Sequence, residues 1–202
     1  MRCLEVALLF CVCLPVSAMA DGKKEQKENA WSDYYVSAGL QMWRPMFAVG
    51  DATAVEATDK AVIGGVIKVQ TNLTEVMGLH LRGTYGMHKH DLGNRKSEGD
   101  AWATGLGMDF YYAINDKVMW SNTFGLAYGQ SKAEANGIEG PTLKSLGAYF
   151  ITTFDVTVAG PMGIWMDWGC QVVGPSFATY GGQDLSLWHI NPLGAGGMRI
   201  SF

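Results

Sequence analysis

Between residues 188 and 202 every second residue is uncharged and either apolar or small: Trp188, Ile190, Pro192, Gly194, Gly196, Met198, Ile200 and Phe202. The intervening set holds His189, Asn191, Arg199 and Ser201. A period of two is the mark of a strand with one oily face and one wetter face. A single strand of this kind cannot bury its oily face, so the rest of the chain must supply its neighbours.

It supplies seven more. The same alternation recurs over residues 31–44, 61–71, 76–88, 100–113, 118–129, 144–158 and 163–173. The fourth run sets Trp102, Leu106, Met108, Phe110 and Tyr112 against Ala103, Gly105, Gly107 and Asp109. In the fifth run Asn122 falls on the apolar side, the one polar misfit in that register. The connections alternate in length. Residues 72–75, 114–117 and 159–162 are tight turns, whereas 45–60, 89–99, 130–143 and 174–187 are long polar loops. Eight strands joined by alternating short and long connections predict an up-and-down antiparallel barrel, all-β, with both ends of the barrel chain on the short-turn side.

The distribution of bulk decides which face is outside. The apolar faces hold most of the large residues, and the opposite faces hold mainly Gly, Ser, Thr and the charges. Eight strands enclose little space, so the small-and-polar set belongs inside. A soluble ligand-carrying barrel of the lipocalin kind would reverse the two faces. In water the bulky exterior would form a very large exposed apolar patch. In a bilayer it is solvated. No stretch after residue 20 approaches 18 continuous apolar residues, so a membrane-embedded form must span as a closed barrel of strands. Only 17% of the residues are charged, which suits a lipid-facing exterior. Trp102 and Tyr112 lie ten residues apart on one oily face. Along a strand tilted by about 45° that spacing rises on the order of 23 Å, close to the ~25 Å apolar band of such barrels. Trp120 and Phe202 are expected beside Tyr112 at the short-turn rim, and Tyr85, Tyr128 and Trp188 beside Trp102 at the other.

The first twenty residues read as a secretory signal peptide. Arg2 precedes an apolar run over 6–16, and Ala18-Met19-Ala20 supplies the small-x-small cleavage pattern. Residues 21–30 are polar and charge-mixed and read as a flexible periplasmic lead, leaving 31–202 for the barrel. Cys3, Cys11 and Cys13 leave with the signal, so the mature chain keeps Cys170 and no internal disulfide. The net charge of -4 gives no footprint for nucleic acid.

The signal peptide, the eight alternating strands and the terminal Phe202 together resemble the small bacterial outer-membrane barrels of the OmpA/OmpX type, across essentially the whole mature chain. The likeness is one of architecture rather than of a diagnostic motif. It implies an integral protein of a Gram-negative outer membrane with its termini in the periplasm. Outer-membrane lipid and lipopolysaccharide and the barrel-assembly machinery are then its partners. Met198, Ile200 and Phe202 are then the C-terminal insertion signal.

The candidate functional residues are the inward-facing charges Lys68, Arg82 and Arg199 against Asp109, Asp155 and Asp167, with His80 and His189 nearby in register. Buried charges are tolerated when paired and hydrogen-bonded, so these six residues predict an ion-pair network that plugs the lumen. A gated ion or proton path is the alternative use of the same groups. A lipid-modifying enzyme would need a nucleophile or activated water with a His base. His88, His90, Asp91 and Ser97 supply the candidate atoms on one loop, but the His-x-Ser arrangement of lipid A deacylases is absent. The two His and the Asp also have metal-binding atoms, without a further ligand cluster. No catalytic, cofactor or metal site is therefore assigned. The expected role is structural, or binding of an unknown surface ligand through the four outer loops.

Overall fold

The structure, a computed structural model, describes residues 34–43, 46–49, 62–91, 96–135, 138–139, 142–180 and 183–202. The predicted signal peptide and lead lie outside these residues. Ten strands are present among them: β1 (Tyr34–Trp43), β2 (Met46–Val49), β3 (Val62–Thr74), β4 (Met77–Asp91), β5 (Lys96–Asn115), β6 (Val118–Ala135), β7 (Ile138–Glu139), β8 (Leu143–Ala159), β9 (Met162–Tyr180) and β10 (Gln183–Ser201). Eight are long and form one antiparallel sheet in the order β1-β3-β4-β5-β6-β8-β9-β10, and β1 pairs back onto β10 to close it. Short β2 continues the β1 ladder on β10 without a change of register, from Trp43 opposite Leu193 to Met46 opposite Ile190. The two-residue β7 pairs with the far end of β6.

The stagger of this sheet sets its size. A path through directly paired residues leaves β1 at Val36 and passes Val69, Leu81, Leu106, Leu126, Ala148, Val172 and Ile190. It returns at Met46, ten residues further along the chain. With eight strands, that offset corresponds to a tilt of about 40° and a backbone radius of about 8 Å.

Side chains sort as the alternation requires. On β1, Tyr35, Ser37 and Gln41 are buried, whereas Tyr34, Leu40 and Met42 are 54–68% exposed. The exposed large apolar residues continue around the sheet, through Ile63, Leu81, Leu106, Leu126, Leu146, Ile164 and Met198. The apolar face is outside, which excludes the lipocalin arrangement. Trp102 lies opposite Tyr85 and edge-on to Tyr128 at 5.8 Å, and Tyr112 lies opposite Trp120 at the other height. The side chain of Trp188 lies outside the described residues. Asn122 does face outward, and its misfit is resolved locally: Thr152 directly opposite donates its hydroxyl to the Asn122 Oδ1 at 3.0 Å.

The three tight connections form where expected, each from local chemistry. Asn115 Oδ1 accepts from the backbone N–H of Lys117 at 2.9 Å and of Val118 at 3.0 Å, closing an Asx turn. Thr74 Oγ1 accepts from the Val76 N–H at 3.3 Å. Gly160 adopts φ +50°, which glycine takes without strain.

The long connections differ from expectation. β5 begins at Lys96 rather than near residue 100, β6 runs to Ala135, β9 to Tyr180, and β10 begins at Gln183. Much of the predicted loops 89–99, 130–143 and 174–187 is therefore hairpin strand. Their sequences mix Gly, Pro, charged and apolar residues without a sustained alternation. Backbone ladder bonds do not depend on side-chain polarity, so pairing continues where the pattern fades.

Leu126 is 72% exposed within the apolar face. Replacing it by Arg is expected to cost about 2–4 kcal/mol in a bilayer, read as a lower urea midpoint for refolding into vesicles. The folded wild type should migrate differently on a gel from its boiled form.

Candidate functional site: the lumenal ion-pair network

The inward positions of β3, β4, β5, β8, β9 and β10 bring all six predicted charges into the barrel interior, where each is at least 95% buried. They form three groups. Asp167 on β9 is the hub of the first. Its Oδ1 accepts from Lys68 Nζ at 3.1 Å and from Thr153 Oγ1 at 2.7 Å, and its Oδ2 accepts from Arg82 Nη1 at 2.6 Å and from Lys68 at 3.2 Å. Arg82 Nη2 also donates to Gln41 Oε1. The Lys68 ammonium lies 3.8 Å from the centre of the Trp165 ring, a cation–π contact that offsets part of its desolvation.

The second group is built on Asp109. It accepts from Thr123 Oγ1, from Gln70 Nε2 at 3.2 Å and from Tyr111 Oη at 3.4 Å, and its Oδ1 is 2.8 Å from His80 Nδ1. The other imidazole nitrogen, Nε2, is 2.8 Å from Tyr149 Oη. A carboxylate, an imidazole and a phenol are thus joined in a line. The third group is Arg199 with Asp155. Nε and Nη2 bond one carboxylate oxygen at 2.9 and 2.7 Å, Nη2 donates to Thr157 at 3.0 Å, and the guanidinium stands 5.1 Å over the Tyr35 ring.

Sequence reasoning placed the charges inward but missed most of what holds them. Gln41, Gln70, Thr123, Thr153 and Thr157 supply the neutral partners. The lumen also contains Tyr35, Tyr111, Tyr149 and Trp165, so it is not filled mainly by small residues and charges as expected. The reason is complementary size across the interior. A side chain at Gly107 or Gly125 would collide with Tyr149, one at Gly78 with Tyr111, and one at Gly163 with the Arg199 guanidinium. Alternate glycines on one wall thus make room for long side chains from another, and their inward glycine register was the available signal.

The side chains of His88, His90, Asp91, Ser97 and His189 lie outside the described residues. The first four fall on the β4–β5 hairpin strands, with His90 opposite Ser97 in the backbone ladder. Among the described residues no group of three or more His, Cys, Asp or Glu is arranged to hold a metal ion. Cys170 is half-buried on β9.

No protein-family model matches the sequence, and no curated protein sequence matches it. Solved structures do. Neisserial surface protein A is similar over 85% of this chain and 98% of its own, with a TM-score of 0.63 and 11% identity. OprG from Pseudomonas aeruginosa is similar over 85% and 96%, with a TM-score of 0.57 and 12% identity. Ail, the attachment invasion locus protein of Yersinia pestis, is similar over 84% and 99%, with a TM-score of 0.52 and 12% identity. The fold is therefore that of the small eight-stranded outer-membrane β-barrels, the OmpA/OmpX-like class.

Asp167 answers two cations at once. Asp167→Asn is expected to destabilise the folded barrel by about 3–5 kcal/mol, because Lys68 and Arg82 stay buried without a counter-charge. Urea titration in detergent micelles measures this. Adding Lys68→Met to that variant should restore part of the loss.

Proposed function

We propose that this chain is an integral protein of a Gram-negative outer membrane, with its lumen closed by the ion-pair network and its termini in the periplasm. Its role is structural or surface-binding through the four outer connections, and it is not enzymatic. The observation that carries this reading is the pairing of an apolar exterior with an interior in which three cations are buried and bonded to Asp167 and Asp155, while the third buried carboxylate, Asp109, is bonded to His80, Thr123, Gln70 and Tyr111. A through-pore of water needs free cross-section, and here Arg82, Lys68, Tyr149 and Trp165 cross the lumen.

Outer-membrane lipid and lipopolysaccharide are the partners that suit the exterior. The barrel-assembly machinery is the partner proposed for the β10 end, where Met198, Ile200 and Phe202 face outward at 56, 46 and 72% exposure. The long hairpins of β4–β5, β6–β8 and β9–β10 offer a surface for an unknown ligand at the end away from the short turns. Ail has been solved in complex with a heparin analogue, sucrose octasulfate, and its structure there matches this chain at a TM-score of 0.50 and 10% identity. That likeness supports a surface-binding role in kind and names no ligand for this protein.

In planar bilayers the wild type is expected to show no steady conductance. Steady openings that change in Asp109→Asn or Arg82→Gln would overturn the plug. Incubation with lipid A should release no fatty acid, and release that is lost in His88→Ala would establish the enzymatic alternative.

A further inference from the structure

The Arg82 guanidinium is buried to 95%, yet among the described residues it donates to only two acceptors, Asp167 and Gln41. A guanidinium carries five N–H groups, so three have no protein acceptor among the described residues. The charge around it is also uneven. Asp167 is shared between Arg82 and Lys68, and the latter takes both carboxylate oxygens. Asp109, the next carboxylate, is occupied by His80, Thr123, Gln70 and Tyr111. Two cations therefore share the hydrogen-bonding capacity of one carboxylate at the level of Arg82.

A cavity of about 20 Å³ adjoins this group, room for one or two water-sized bodies. Gln41, Arg82 and Tyr149 line it together with Thr84, Ala103 and Ala127, and Arg82 is the one charged residue of its lining. Thr84 lies two residues beyond Arg82 on β4, away from the short turn, so the cavity sits on the outer side of the Lys68–Arg82–Asp167 group. A buried guanidinium with unused donors, beside a cavity with no anionic residue in its wall, attracts negative charge much more strongly than it would in water.

We propose that this cavity is a binding site for a small monovalent anion of about chloride's size, held by the Arg82 N–H groups left over from Asp167 and Gln41. The inference rests on the closed-lumen reading, since a water-filled pore would screen the same charge. The anion supplies an acceptor to the Arg82 N–H groups that Asp167 and Gln41 leave over, and the room beside them suits a small one.

The probe is chloride itself, read by its ³⁵Cl NMR line width with the protein refolded in zwitterionic detergent. Wild type should broaden the line beyond the effect of its surface cations. Arg82→Gln, which removes the charge, and Ala127→Leu, which fills the cavity while leaving every network residue in place, should each lower the broadening at least two-fold. Heat-modifiable migration confirms that each variant is folded. If Arg82→Gln does not fold, Ala127→Leu decides. Equal broadening by wild type and folded Ala127→Leu overturns the site. Steady bilayer conductance of the wild type overturns the closed lumen instead, and the line-width comparison is read independently of it.

Discussion

Everything in this molecule depends on the seam between β1 and β10. Pairing there runs from Tyr35 opposite Ser201 to Trp43 opposite Leu193, and the Phe202 N–H donates to the Tyr34 carbonyl at 3.0 Å just beyond. A sheet without an edge satisfies its backbone groups internally, which is the condition for surrounding strands with hydrocarbon. Once that condition is met, the outer face is free of any polar duty. It can then carry Leu, Ile, Met and aromatic side chains at most outward positions, and the polar residues Asn122 and Thr152 found among them are bonded to each other.

Closure also fixes the space inside. The ten-residue stagger gives a cylinder wider than a file of small side chains can fill, so long residues must cross it. They do so in complementary fashion: Tyr149 lies against Gly107 and Gly125, Tyr111 against Gly78, and Arg199 against Gly163. Such close fitting leaves little room for water. The charged groups must then find each other, and a carboxylate such as Asp167 gathers four bonds from three side chains. The ion pairs are thus a consequence of the packing as much as a cause of it.

Much of this was legible in the chain. Eight alternating runs, three tight turns and the inward set of three cations and three carboxylates all appear in the fold, and the outer aromatic belt has Trp102 between Tyr85 and Tyr128 as read. The hairpin extensions were not legible, because segments such as 96–99 and 131–135 lack the large apolar residues that mark the outer face of the other runs. Nor was the line from Asp109 through His80 to Tyr149, whose members come from β5, β4 and β8. Asp109 and His80 were read as inward candidates, but nothing on their own strands joins them to each other or to Tyr149.

The division follows from the range of the forces involved. Which way each side chain points is a property of the strand itself, since successive residues of a pleated backbone face opposite sides. The sequence by itself therefore determined the barrel's inside and outside, residue by residue. Which inward residues meet is a property of the whole sheet. Lys68 and Asp167 are 99 positions apart, on strands that are not neighbours, and they touch only across the lumen. That contact exists because the stagger around the closed sheet brings the two to a common height, and only the tertiary structure could decide it.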